Sequence, residues 1–335
     1  MKIKTLANLL QSGQLIAGLK LVGMFKPFYK LTYIAAAKES GLLSLLSDKA
    51  VPFDQLAAHY CKDANAHDAL RAWLQLGVRL KLLTEDRAGY ELNGLARTLS
   101  LRANDAITAL AQETAGLHHK LILGTPEKLK QGALWGLEDQ DGELIARSSR
   151  SLEPFQTEAI DRAFPSSGAI RLLEIGCGSA FYIKYAATKN PLLTAVGIEL
   201  QANVADMAER HIKEWRLQER VKIENGDIRR REPEEWFDIV TLYNNIYYFR
   251  VEERSSFLRH LKMFLKPGGF LLLTTCCQGG NLGIEVLNLW GASTAGCGRL
   301  PDIDEMKNQL HQAGFTKVEV MRIAPGISFY GFKAQ

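Results

Sequence analysis

"RLLEIGCGSA", residues 171–180, is an apolar run that stops abruptly in bare backbone. Gly176 and Gly178 flank Cys177, and no bulky residue follows until Phe181. The run reads as a buried strand. The glycines read as a turn whose main chain accepts positive φ and lies close against a ligand. A dinucleotide fingerprint would place a third glycine at position 181, where Phe181 stands. That substitution speaks against a pyrophosphate ligand.

Downstream the chain alternates strands and helices. Strand-like runs fall at residues 171–175, 193–198, 221–224, 238–242 and 270–275, with helical stretches such as 204–215 and 252–264 between them. Strands separated by helices imply a parallel, doubly wound sheet. The terminal runs "FTKVEVMRI" and "SFYGFKA" add an antiparallel pair at one edge, which makes seven strands. In such sheets ligands bind beyond the carboxyl ends of the strands. Glu199, in "AVGIEL", ends the second strand about 20 residues after the glycine turn and suits two ribose hydroxyls. Asp227, in "ENGDI", ends the third strand and suits an exocyclic amine.

The ordered set "LLEIGCGSA … GIEL … NGDI … FDIV … LKPGG" resembles the class I S-adenosylmethionine-dependent methyltransferases over residues 166–335. The resemblance implies a Rossmann-like domain with S-adenosylmethionine as cofactor. It puts Glu174 and Gly176 near the methionine part, and Gly178 and Tyr182 are further candidates for binding the cofactor. It puts Glu199 at the ribose and Asp227 with the Ile228 backbone at the adenine, with Leu200 also a candidate for binding the cofactor. Taken singly, each carboxylate is also readable as a solvated strand-end charge.

The fourth strand departs from the phenolic O-methyltransferases that share this pattern. They carry a His-Asp pair where "FDIVTLYNNIYYFRVEE" puts Tyr247 and Tyr248. A tyrosine with pKa of about 10 is a poor base near neutrality. His118 and His119, in helices expected to roof the pocket, are candidate substitutes. The stretch "YNNIYYF" also makes sense in its own terms. Aromatic faces stabilise a sulfonium, and Asn244 or Asn245 can orient the reacting group. The competing account is a buried aromatic cluster. Alternation along a strand predicts that one member of each pair reaches the pocket. Phe181 and Tyr182 are further wall candidates, whereas Tyr185 fits helix packing. Trp290 and Asn288, in the glycine-rich stretch after the fifth strand, are candidate pocket residues. This reading favours a soft or pre-activated nucleophile (S, N or C) methylated by proximity and orientation. Two alternatives stay open. One is cyclisation of the cofactor with release of methylthioadenosine, as in the azetidine-2-carboxylate synthases of this fold. The other is a winged-helix DNA-binding regulator.

The N-terminal half is different in kind. Residues 1–105 read as helices followed by "VPFDQLAAHYCKDANAHDALRAWLQLGVRLKLLTEDRAGYEL", a helix, turn, helix and hairpin in winged-helix order. Residues 106–165 read as a helical linker, and residues 166–335 as the cofactor domain. With this half included, the whole chain resembles small-molecule methyltransferases that dimerise through it. An apolar helix over residues 6–25, carrying Leu6, Leu9, Leu10, Ile16, Leu19 and Leu21, is expected to pair with a second copy. The net charge of +4 over 335 residues is too weak a footprint for nucleic acid, and Arg71 and Arg79 are offset by Asp68. Lys20 and several polar residues break the N-terminal stretch, so an amphipathic helix is expected there rather than a leader or membrane span. Five unpaired-looking cysteines without CxxC spacing fit a reducing cytoplasm, with no metal. Cys276 and Cys277, adjacent at a strand end, are expected to point to opposite sides.

Overall fold

The strand that runs into the glycine turn lies inside a seven-stranded sheet. In the computed structural model, which describes residues 10–233, 236–324 and 326–335, the hairpin is β1 (Leu83–Asp86) and β2 (Gly89–Leu92). The sheet comprises β3 (Ile170–Ile175), β4 (Leu193–Glu199), β5 (Val221–Asn225), β6 (Phe237–Tyr243), β7 (Leu265–Cys276), β8 (Val318–Arg322) and β9 (Phe329–Ala334). Its order is β5-β4-β3-β6-β7-β9-β8. Strands β3 to β7 pair in parallel, and β9 is antiparallel to both β7 and β8. The chain progresses from β3 to β5 on one side and resumes with β6 on the other. The carboxyl ends of β3 and β6 therefore border the switch point where this architecture binds ligands.

Alternation along the strands separates two apolar layers. Leu172, Ile239, Leu272 and Cys276 pack in one layer, and Leu173, Val240, Leu273 and Cys277 in the other. The adjacent cysteines thus part company, as expected. The "LKPGG" segment, which precedes the strand-like run expected at 270–275, is included in the β7 span, with a pairing irregularity against β6 near Phe237.

The chain folds into two compact units. One comprises residues 1–120 with 141–151, the other residues 121–140 with 152–335. Residues 106–165 are therefore shared between them. In the first unit, helices Phe53–Tyr60 and His67–Arg79 precede the β1–β2 hairpin and enclose a core of Tyr33, Leu42, Leu56, Leu74 and Tyr90. Arg71 lies over the Phe53 ring, 3.9 Å from its centroid. Helix Gln14–Glu39 buries Tyr33, Ile34, Ala35 and Ala37 near its carboxyl end. Its earlier residues Ile16, Leu19, Leu21, Val22 and Met24 are all more than half exposed. Leu6 and Leu9 lie outside the described residues. Among the described residues no helix is long and apolar enough to cross a membrane.

Candidate active site

The turn after β3 needs its glycines. Gly176 and Gly178 adopt φ of 65° and 52°. A Cβ on Gly176 would collide with Asn245 Nδ2. The N–H groups of Gly176 and Cys177 both donate to the Ile198 carbonyl, at 2.8 and 3.1 Å, which holds the turn beside the end of β4. Glu199 completes the anchor. It is 9% exposed, and its Oε2 accepts from Gly178 N–H at 3.0 Å while Oε1 accepts from Gln201 N–H at 3.1 Å. Next to it Leu200 is 61% exposed, an apolar surface beside a fixed carboxylate.

Asp227 ends the loop after β5. It caps its own turn by accepting from Arg229 N–H, and the Arg229 guanidinium grips both of its oxygens at 2.7–3.0 Å. That guanidinium holds the Asp227 carboxyl below its ordinary range. Ile228 is buried beside it, and His260 Nε2 contacts the Ile228 carbonyl at 2.9 Å.

Glu174 sits one residue before the end of β3 and is 1% exposed. Burial pushes its carboxyl well above the usual range, against an opposing hydrogen bond from Thr241. Its Oε2 has no hydrogen-bond partner. Tyr243, on the same face of β6, senses the Glu174 charge, and its phenol is likewise pushed up, chiefly by burial. Tyr182 meets the Tyr243 ring edge-on at 5.4 Å and the Phe181 ring edge-on at 5.6 Å. Tyr185 turns away and donates to the Asp161 carboxylate at 2.9 Å.

The segment after β6 corrects one expectation. Strand alternation does not govern Asn244–Tyr248, because β6 ends at Tyr243. Asn244 has φ of 54°, a conformation that asparagine tolerates better than most residues, and Ile246–Tyr248 is a 3₁₀ turn. Asn245 Nδ2 donates to the Ile175 carbonyl at 3.0 Å, which presses the turn onto the glycine turn. Asn244 N–H donates to the Thr274 carbonyl at 2.7 Å. Tyr247 is buried and Tyr248 half-buried, with ring centroids 4.9 Å apart.

Two other buried polar atoms near this strand end lack partners, Asn244 Oδ1 and Gln156 Nε2. Gln156 hangs from Thr274, whose hydroxyl donates to its Oε1 at 2.5 Å. The sequence offered no signal for Gln156, because its contact spans 118 residues. Trp290 is buried, and Asn288 accepts from Leu300 N–H at 2.9 Å. Burial pushes the Cys276 and Cys277 thiols up to about 12, so neither supplies a thiolate near neutrality. His118 and His119 belong to the first unit. His118 Nε2 lies 3.1 Å from Glu113 Oε1, and His119 packs on Phe28 at 5.8 Å.

Residues 173–271, from β3 into β7, match the family described as "Methyltransferase domain". This part of the chain is a methyltransferase domain. Over 326 residues the chain is 23% identical to demethylspheroidene O-methyltransferase of Rhodobacter capsulatus, spanning 91% of this chain and 79% of that protein. The structure of the mitomycin 7-O-methyltransferase MmcR superposes with a TM-score of 0.80 at 17% identity, covering 97% of this chain and 99% of that one. Human N-acetylserotonin methyltransferase, solved in complex with SAM, superposes with a TM-score of 0.74 at 17% identity, covering 95% and 97%. The Rossmann-like fold with an N-terminal helical region is thus shared along nearly the whole chain.

The cofactor of this domain class is S-adenosylmethionine, and the residues fit it. Glu174 is a buried carboxyl with an orphaned oxygen and suits an ammonium. Glu199 is a carboxylate fixed by two backbone N–H groups and suits ribose hydroxyls. The two glycines form a cradle that a Cβ on Gly176 would close against Asn245.

Proposed function

We propose that the methyltransferase domain passes the methyl group of S-adenosylmethionine to an oxygen of a small molecule, with orientation, rather than a histidine of this unit, supplying the catalysis. The observation that carries the reading is the seating of the Asn244–Tyr248 turn on the glycine turn through Asn245 and Ile175. That contact brings the turn carrying Asn244, Asn245, Tyr247 and Tyr248 beside the glycine turn, where the methionine end would lie. The Rhodobacter capsulatus relative, matched over 91% of this chain, and MmcR are both named O-methyltransferases. That supports oxygen over the soft nucleophiles favoured from sequence.

When bound, the cofactor supplies an electrophilic methyl on a sulfonium. Glu174 would pair with the α-ammonium, Glu199 would accept from the ribose hydroxyls with Leu200 beside it, and Asp227 with the Ile228 backbone would hold the adenine. The faces of Tyr247 or Tyr248, with Tyr182 as a further wall, stabilise the positive sulfur. Asn244 or Asn245 orients the acceptor. The acceptor oxygen forms its bond to the methyl carbon as the sulfur–methyl bond breaks. The bonding pair leaves with sulfur, and the hydroxyl proton passes to solvent. Each histidine of the second unit has a ring nitrogen at a backbone carbonyl: His211 at Ser179, His260 at Ile228 and His311 at Phe315. None belongs to the Asn244–Tyr248 turn.

We also propose that the first unit, through its helix–turn–helix–hairpin and the exposed apolar face of helix Gln14–Glu39, joins two copies of the chain. The acceptor assay uses methyl-labelled cofactor and a small-molecule extract. Label recovered in a compound below about 1 kDa, with equimolar S-adenosylhomocysteine, supports the reading. Label in protein or nucleic acid overturns it, as does methylthioadenosine released without an acceptor.

A further inference from the structure

Arg254 has a setting that a surface-charge reading of "RVEERSSFLRHLK" does not anticipate. It opens the helix Arg254–Lys262, yet it is 0% exposed. Burial of an arginine usually comes with a carboxylate on the guanidinium. Here the direct partners are carbonyls from two separate segments. Nε donates to the Phe249 carbonyl at 3.2 Å and Nη2 to the Arg299 carbonyl at 2.6 Å. Nη1 is buried without a partner. The nearby Glu305 carboxylate is engaged by the Arg299 guanidinium, at 2.6 and 2.9 Å. Burial lowers the Arg254 pKa to about 10, so the group stays charged at neutral pH.

The two carbonyls lie at either end of one contact. Phe249 follows the Ile246–Tyr248 turn, and Arg299 lies in the segment between the helices Leu282–Ser293 and Ile303–Gln312. Gly298 N–H donates to the Tyr247 carbonyl at 2.9 Å, so the same two segments are also joined one to two residues away from the carbonyls that Arg254 holds. Position 298 has no room for a side chain: a Cβ would lie 2.7 Å from the Phe249 oxygen and 2.8 Å from Arg254 Nη2. The guanidinium is a planar fork that holds two acceptors at a fixed separation, which neither an ammonium nor an apolar side chain reproduces.

We propose that Arg254 is a positioning residue of the methyl-transfer site, clamping the Tyr247–Tyr248 turn to the 297–300 loop and so fixing the tyrosine faces against the sulfonium. The inference rests on the reading that this turn faces the sulfonium. A purely structural arginine would support the fold without affecting how the site treats sulfur.

The test compares S-adenosylmethionine with S-adenosylhomocysteine by calorimetry. The two ligands differ at the sulfur by one methyl and one charge, so contacts elsewhere cancel in the ratio of their affinities. Arg254→Met keeps much of the volume and removes the fork. It is expected to lower the preference for S-adenosylmethionine by roughly 3- to 10-fold, the scale of a sulfonium–aromatic contact. Arg254→Lys is expected to restore part of it. Gly298→Ala pries the same contact apart from its other side, is expected to reproduce the loss, and decides the matter where Arg254→Met does not fold. Tyr247→Ala and Tyr248→Ala report on the underlying reading: a lowered ratio in at least one upholds it, and an unchanged ratio in both removes it. A lowered ratio in a tyrosine variant with an unchanged ratio in Arg254→Met, or in Gly298→Ala where that must stand in, overturns the clamp and leaves the site reading intact.

Discussion

Replacing Glu199 by alanine should weaken binding of S-adenosylhomocysteine by about 10- to 100-fold. The magnitude follows from what the carboxylate does. Its two oxygens already accept from Gly178 N–H and Gln201 N–H at 3.0 and 3.1 Å, so the group is oriented before a ligand arrives. Hydrogen bonds to a charged group contribute about 1.5–3 kcal/mol, which for the ribose corresponds to about one to two orders of magnitude in Kd. Alanine also leaves the Gly178 N–H without its acceptor and loosens the turn, which adds to the loss. Glu199→Gln should fall between, because one oxygen survives while the new amide nitrogen opposes a backbone donor. Calorimetric titration with S-adenosylhomocysteine reads the effect without any acceptor molecule. Circular dichroism and the thermal midpoint verify that the sheet is intact. A Kd for folded Glu199→Ala within twofold of wild type would refute the reasoning and remove this sheet edge as the cofactor site.

The tyrosines can be sorted by their chemistry. If a ring face stabilises the sulfonium, Tyr→Phe at 247 and 248 keeps most activity and Tyr→Ala at the contributing position loses it, whereas a working hydroxyl makes Tyr→Phe severe already. Near-wild-type rates for both alanine variants would return the pair to simple packing. In the first unit, Asp105 accepts from Arg147 and Lys38 at 2.7–3.0 Å, and the Arg147 hydrogen bonds hold its carboxyl below the ordinary range. A depressed folded pKa means stability that is complete above the unfolded value near pH 4 and lost as pH falls toward the folded one. Asp105→Asn should therefore cost about 1–2 kcal/mol at pH 7, discounted for screening of a carboxylate that is 30% exposed. The gap to wild type in denaturant melts should close below pH 4, and a gap constant from pH 7 to pH 3 would contradict this. Deleting residues 1–30 should turn a sedimenting dimer into a monomer or an aggregate, because Ile16, Leu19, Leu21, Val22 and Met24 expose apolar surface. A monomeric full-length chain at micromolar concentration would count against the pairing.

The sheet was legible because its signals are local. The run into Gly176, the acidic end at Glu199 and the apolar runs at 221–224 and 270–275 each announce a strand within a few residues, and alternation with helices orders them, whereas Asp227, expected at the end of the third strand, caps the turn two residues beyond β5. The Asn244–Tyr248 segment was misread for the complementary reason. "YNNIYYF" has the aromatic and β-branched content of a strand, and the turn is fixed by distant acceptors, Ile175 for the Asn245 amide and Thr274 for the Asn244 N–H. Arg254 and Gln156 escaped notice similarly. A charged or amide residue in a polar helix reads as solvated until the fold brings Arg299 or Thr274 against it. Glu174 was legible as a site residue through the resemblance, but its raised pKa comes from complete burial in the folded sheet, against the hydrogen bond from Thr241 on β6, and its orphaned oxygen is likewise a product of that burial.

A crystal structure of the protein with S-adenosylhomocysteine tests the central claim most directly. The account predicts the adenine amine within hydrogen-bonding distance of Asp227, the ribose hydroxyls on Glu199, and the ammonium on Glu174 beside Gly176, with the sulfur facing the Tyr247–Tyr248 turn. A nucleoside bound elsewhere, with the Glu199 carboxylate still holding only Gly178 and Gln201, would contradict it.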